Sequence, residues 1–144
     1  MLSSLLLPIL RARFAGRGLV ESASPDPCAF FPGTHPGIRG LSVYDDEHEL
    51  TVCVDDLTHG HLAEYDDAVP EAERDRRVVE RVVDFLDDVF ADRVIVWGQY
   101  NIGGGWYRID SGGSREHSGI PEFVWSGPWV QMSPDPGDPP NRPT

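Results

Sequence analysis

The feature that most restricts how this chain can fold is an apolar stripe. Val78, Val79, Val82, Val83, Leu86, Val89 and Phe90 recur at three- and four-residue steps. On a helix of 3.6 residues per turn they fall on one face. The spacing predicts a long helix over 70–92. Pro70 suits its first position, and Glu71 and Glu73 complement the positive end of its dipole. Arg77, Glu80, Arg81, Asp84, Asp87 and Asp88 occupy the remaining circumference. A helix with one apolar face needs a sheet to cover.

The rest of the chain supplies strands for that sheet. Residues 40–44 and 49–54 alternate apolar and polar, with Asp45, Asp46, Glu47 and His48 between them. This predicts a β-hairpin in which Leu41 and Val43 face Leu50, Val52 and Val54. Shorter strands are expected at 28–31, 60–65, 94–97 and 106–109, with a last edge strand at 122–125. Gly103, Gly104 and Gly105 read as the connection into the 106–109 strand. Leu6, Ile9, Leu10 and Phe14 approach helical spacing, with Pro8 tolerated in a first turn, and predict a short N-terminal helix. The expected fold is α+β: a mostly antiparallel sheet of five to six strands packed on one long helix (about 70–92), with a short N-terminal helix. One domain is expected over 1–132. The tail, 133–144, carries five prolines, which suit neither a ladder nor a core, and is expected to be disordered.

Location follows from what is missing. The leucine-rich stretch 2–10 is about half the length that spans a bilayer. Its arginines, Arg11, Arg13 and Arg17, follow the apolar run where a secretory signal would place charge before it. Two cysteines, Cys28 and Cys53, make neither a disulfide framework nor a metal quartet, and whether they pair is left open. A cytoplasmic location is expected, without membrane contact.

Charge narrows the function classes. The chain has 24 acidic and 12 basic residues, a net charge of −12, and every basic residue is arginine. Without lysine there is no Schiff base, no lysine general base and no phosphate-loop lysine. Bare nucleic acid, which requires a basic footprint, is not an expected partner. The acidity is local: residues 45–92 hold 17 acids against four arginines, a net of −13, while 1–44 carry +2 and 93–144 carry −1. A concentrated patch of one sign speeds encounter with an oppositely charged partner, although it also serves simple solubility. The candidate contact residues are Asp45, Asp46, Asp55, Asp56, Glu80, Asp84, Asp87 and Asp88.

Three other constellations bear on chemistry. His59 and His61 stand two apart and would point to one side of a strand, with Asp55, Asp56 or His48 as a further metal ligand. Such a site, with an open position, could activate water; no HExxH helix accompanies it, and two surface histidines beside a turn fit the spacing equally. Ser111, Ser114 and Ser118 surround Glu116 and His117, but no G-x-S-x-G elbow is present. Trp97, Trp106, Trp125 and Trp129, with Tyr100 and Tyr107, cluster late and suit either core packing or a small-ligand site. No cofactor is implied.

The stretch Thr58-His59-Gly60-His61, the run from Val82 to Trp97 and the segment Gly103-Gly104-Gly105-Trp106 together resemble small, acidic, uncharacterised bacterial proteins. In style they are similar to the immunity proteins of bacterial toxin systems. That resemblance covers about half the chain and implies a compact α+β domain that binds a protein and is not an enzyme. The expected function is therefore an acidic module that sequesters a basic partner. The alternatives are a metal-dependent hydrolase using His59 and His61, and a small-ligand-binding domain using the late tryptophans.

Overall fold

A computed structural model describes residues 1–24, 26–99, 103–111 and 120–129. The N-terminal helix α1 spans Leu2–Arg13. Strands β1 (Val20–Glu21), β2 (Ala29–His35), β3 (Ile38–Asp45), β4 (Glu49–Val54) and β5 (Thr58–Ala63) follow. Helix α2 (Glu71–Phe90) precedes β6 (Val94–Gln99), β7 (Gly103–Arg108), β8 (Glu122–Val124) and β9 (Gly127–Pro128). The fold is α+β, as the pattern implied. No helix among the described residues is long and apolar enough to cross a membrane. The proline-rich tail, Tyr100, and Ser114, Glu116, His117 and Ser118 lie outside the described residues.

The strands form two antiparallel sheets where one was expected. Five strands run in the order β1-β2-β3-β4-β5, and four in the order β7-β6-β8-β9. The hairpin of β3 and β4 has the anticipated facing: Leu41 opposes Val54, Val43 opposes Val52, and Asp45 opposes Leu50. Alternation identifies a strand and its buried face but not its neighbour, so the break between β5 and β7 was invisible to it.

Two further expectations need correction. Gly103, Gly104 and Gly105 lie within β7, paired with Gln99, Gly98 and Trp97. A Cβ at Gly104 would sit 2.0 Å from the Trp97 carbonyl oxygen, and one at Gly105 2.8 Å from the Trp97 ring. These glycines admit close backbone and indole contact, so they belong to the ladder. The 122–125 segment is not an edge either: β8 pairs with both β6 and β9, and β9, with Pro128, lies at the margin.

The α2 stripe is the spine of the core. Val78, Val79, Val82, Val83, Leu86, Val89 and Phe90 are all buried, and Phe85 joins them. Leu2, Leu6, Leu10 and Phe14 of the N-terminal segment pack into the same core. Ile9, expected on that face, is instead exposed, and Leu2 takes its place. Each fully buried valine, leucine or phenylalanine contributes about 1.5–3 kcal/mol of transfer free energy. Edge-on rings tie the layers together: Phe14, Phe31 and Phe90 meet with centroids 5.1–6.0 Å apart, and Phe90 meets Trp125 at 5.0 Å.

Candidate functional site

Sequence and turn chemistry bring three acidic segments to one end of the five-stranded sheet. The first is the β3–β4 turn. The Asp46 amide donates to the Glu49 carbonyl (3.0 Å), and Glu47 adopts a left-handed φ of 70°. Asp45 is buried at 5% exposure, and its carboxylate accepts from the Ser3 amide (2.8 Å) and the Glu47 amide (3.0 Å). It anchors α1 to the turn and is withdrawn from the contact face on which it was expected. The second segment joins β5 to α2. There Asp66 accepts from the Ala68 amide in an Asx turn (3.0 Å). The third is the first turns of α2, with Glu71 and Asp75.

Between them lies a cleft of about 330 Å³, lined by His48, Glu64, Tyr65, Asp67, Glu71, Arg74, Asp75 and Val78. Four carboxylates face one guanidinium. Among the described residues Arg74 reaches only Asp67, at 3.6 Å, and its buried Nε has no hydrogen-bond partner. Glu64 is held from behind by Arg77 (2.9 Å) and Arg81 (3.4 Å). The Arg77 hydrogen bond keeps the Glu64 carboxyl below its ordinary range. Glu71 and Asp75 make no ion pair among the described residues. Tyr65 rims the cleft at 78% exposure, and its hydroxyl donates to Glu49 Oε2 (3.1 Å), which raises the phenol's pKa.

Glu49 connects the cleft to the sheet. Thr51 pairs with His61 across β4 and β5, and Glu49, two residues from Thr51, shares their face. His61 Nδ1 stands 2.9 Å from Glu49 Oε1 and 3.0 Å from Thr51 Oγ1, while the Thr51 hydroxyl donates to Asp46 Oδ2 (2.8 Å). One donor atom from each of Asp46, Glu49 and His61 lies within 4.8 Å of the others. His59 projects from the same side of β5, its ring edge-on to His61 at 5.0 Å. It lines a separate cleft of about 450 Å³ with Cys53, Asp55, Asp56, Gly103 and Gly104.

The other candidate acids are dispersed and largely satisfied within the chain. Asp55 and Asp56 sit at the opposite end of β4, where Arg39 pairs with both (2.8 and 2.6 Å). Burial pushes the Asp55 carboxyl up, but hydrogen bonds from the Arg39 side chain and from the Arg39 and Asp56 amides outweigh it and leave the pKa lowered. Asp87 and Asp88 lie near the C-terminus of α2, where the helix dipole disfavours carboxylates. Arg13 neutralises the first, and Arg93 and Arg108 the second. Glu80 reaches Arg76 at 3.9 Å, and Asp84 has no ion pair among the described residues.

The late aromatic residues mostly pack. Trp125 is 2% exposed, Trp106 lies on Phe85 at 4.9 Å, and the Tyr107 hydroxyl donates to Glu122 (2.7 Å). Both cysteines are free, and the Cys28 thiol donates to the Val43 carbonyl (3.4 Å).

Sequence reasoning missed Tyr65, Glu49, Glu64, Asp67, Glu71 and Asp75 as site residues. A lone tyrosine among acids has no periodicity to mark it. Glu49 could have been found from its position opposite the histidine strand. Compared with known protein families, curated proteins and solved structures, the chain matches none of them.

Proposed function

We propose that this chain is a non-enzymatic acidic binding module that sequesters a basic protein, most concretely an immunity protein blocking a bacterial toxin. The observation that carries this reading is Tyr65, 78% exposed on the rim of a cleft in which Glu71 and Asp75 have no cationic partner among the described residues. An exposed aromatic ring beside unpaired carboxylates has the chemistry of an interface hot spot for arginine or lysine. The cleft has room for such a side chain, and a guanidinium there gains charge-assisted, two-pronged hydrogen bonds. Asp46 and Glu47 extend the negative field and steer encounter.

The contact surface of this reading centres on the cleft. It retains Asp46 from the acids singled out in the sequence, whereas Asp55, Asp56, Asp87 and Asp88 already hold arginines of the chain itself.

The test is binding to a basic toxin encoded beside the gene. Association slows as salt rises. Tyr65→Ala, and separately the Glu71→Gln/Asp75→Asn pair, each weaken the complex about thirtyfold or more, while Asp84→Asn leaves it unchanged. A neighbourhood without a toxin and no basic partner in a pull-down, or a complex indifferent to Tyr65 and to salt, overturns the reading.

A further inference from the structure

We propose that Asp46, Glu49 and His61 form a binding site for one Zn²⁺ ion, beside the cleft of the partner reading and sharing Asp46 and Tyr65 with it. Three features carry this. First, the donors converge: two carboxylate oxygens and one imidazole nitrogen lie within 4.8 Å of one another, so one ion can bridge them with small side-chain adjustments. Second, the backbone fixes their origin. Thr51 and His61 are cross-strand partners, and the Asp46 amide closes the turn onto the Glu49 carbonyl at 3.0 Å, so the strands hold the ligands in place. Third, an outer shell is built. The Tyr65 hydroxyl holds Glu49 Oε2, directing Oε1 toward His61, and the Thr51 hydroxyl holds Asp46 Oδ2. Hydrogen-bonded outer partners of this kind orient carboxylate ligands and tune affinity.

The donor set selects the metal. An imidazole with two carboxylates suits zinc, which takes nitrogen and oxygen ligands at four positions, the fourth here going to water. Magnesium and calcium prefer all-oxygen shells of six or more ligands. In the metal-free arrangement His61 Nδ1 donates to Glu49. Binding requires the ring proton on Nε2, which frees Nδ1 as the ligand atom. His59, whose ring meets that of His61 at 5.0 Å, offers a further nitrogen donor. The site differs from the pairing of His59 and His61 expected from spacing: its oxygen ligands come from the β3–β4 turn and the first residue of β4, while Asp55 and Asp56 lie at the far end of β4.

The experiment is calorimetric titration of the tag-free full chain with Zn²⁺, repeated in a large excess of Mg²⁺. One ion binds per chain, and Mg²⁺ does not displace it. His61→Ala and Glu49→Gln each weaken binding about tenfold or more, and the Glu71→Gln/Asp75→Asn pair does not. Chemical shifts of the His61 ring move on binding, and thermal melts establish that each variant is folded. Absence of Zn²⁺ binding, or binding undiminished in both His61→Ala and Glu49→Gln, overturns the site. Equal loss in the Glu71→Gln/Asp75→Asn pair also overturns it, because the ion would then be held by diffuse charge.

Discussion

Phe90, at the last position of α2, meets Trp125 edge-on at 5.0 Å and an interplanar angle of 67°, joining the helix to the four-stranded sheet. The same Phe90 ring meets Phe14 and Phe31 at 5.1 Å each, so one side chain contacts α1's C-terminal neighbour, the five-stranded sheet and the second sheet. Phe90→Ala leaves a cavity at that junction. The expected cost is about 3–5 kcal/mol, measured as a lower urea midpoint. Leu86→Ala, one turn earlier and fully buried, is expected to cost about 2–5 kcal/mol. A loss below 1 kcal/mol at Phe90 would show that the sheets do not depend on this contact.

Gly105 tests the second sheet alone. A Cβ there would lie 2.8 Å from the Trp97 ring, closer than packed atoms sit. Gly105→Ala displaces the indole and costs about 1–3 kcal/mol by overpacking. Tryptophan emission should shift in the native state. Were the glycines only a flexible connection, alanine would leave both stability and emission unchanged.

These two positions show where sequence reasoning ended. Helix α2 was legible because seven apolar residues share one 3.6-residue stripe, and the β3–β4 hairpin because alternation is equally local. The role of Gly105 depends on Trp97, a partner on the facing strand, and a glycine run reads as a turn when that partner is unknown. The acids pose the same difficulty. Net charge over 45–92 was countable, but which carboxylates are spoken for depends on distant arginines. Arg13 grips Asp87 from 74 residues away, with Nη2 2.6 Å from Oδ2. Asp45 and Asp46 are adjacent in sequence, yet the first ends β3 on its buried face and the second lies exposed in the turn that follows.

Cysteine chemistry offers a kinetic check on the core. Burial, followed by the charge of Asp45, pushes the Cys28 thiol up to about 11. At pH 8 only about a thousandth of it is thiolate, and burial blocks the reagent as well. Cys53, less buried, also has a raised pKa from burial and from Asp46 and Asp56. Ellman's reagent should label Cys53 slowly and Cys28 only after urea unfolding. Rapid labelling of both thiols in the native protein would contradict the placement of Cys28.

Acid sensitivity should trace to the β4–β5 turn. Arg39 donates to Asp55 through its amide (3.0 Å) and its Nε (2.9 Å), and the folded carboxyl pKa is depressed. A group whose folded pKa lies below its unfolded value contributes stability above the unfolded pKa, near 4 for a carboxylate. That contribution disappears as pH falls through the folded pKa. The urea midpoint should therefore begin to drop as pH falls below about 5 and go on dropping until the pH lies below the folded pKa. Asp55→Asn removes the titrating group and Arg39→Ala removes its side-chain donor, so both variants should show a shallower drop than the parent. Because Arg39 is exposed, solvent screening keeps the effect modest and additional salt reduces it further. Parallel pH profiles for the parent and both variants would mean that Asp55 does not contribute to the acid transition.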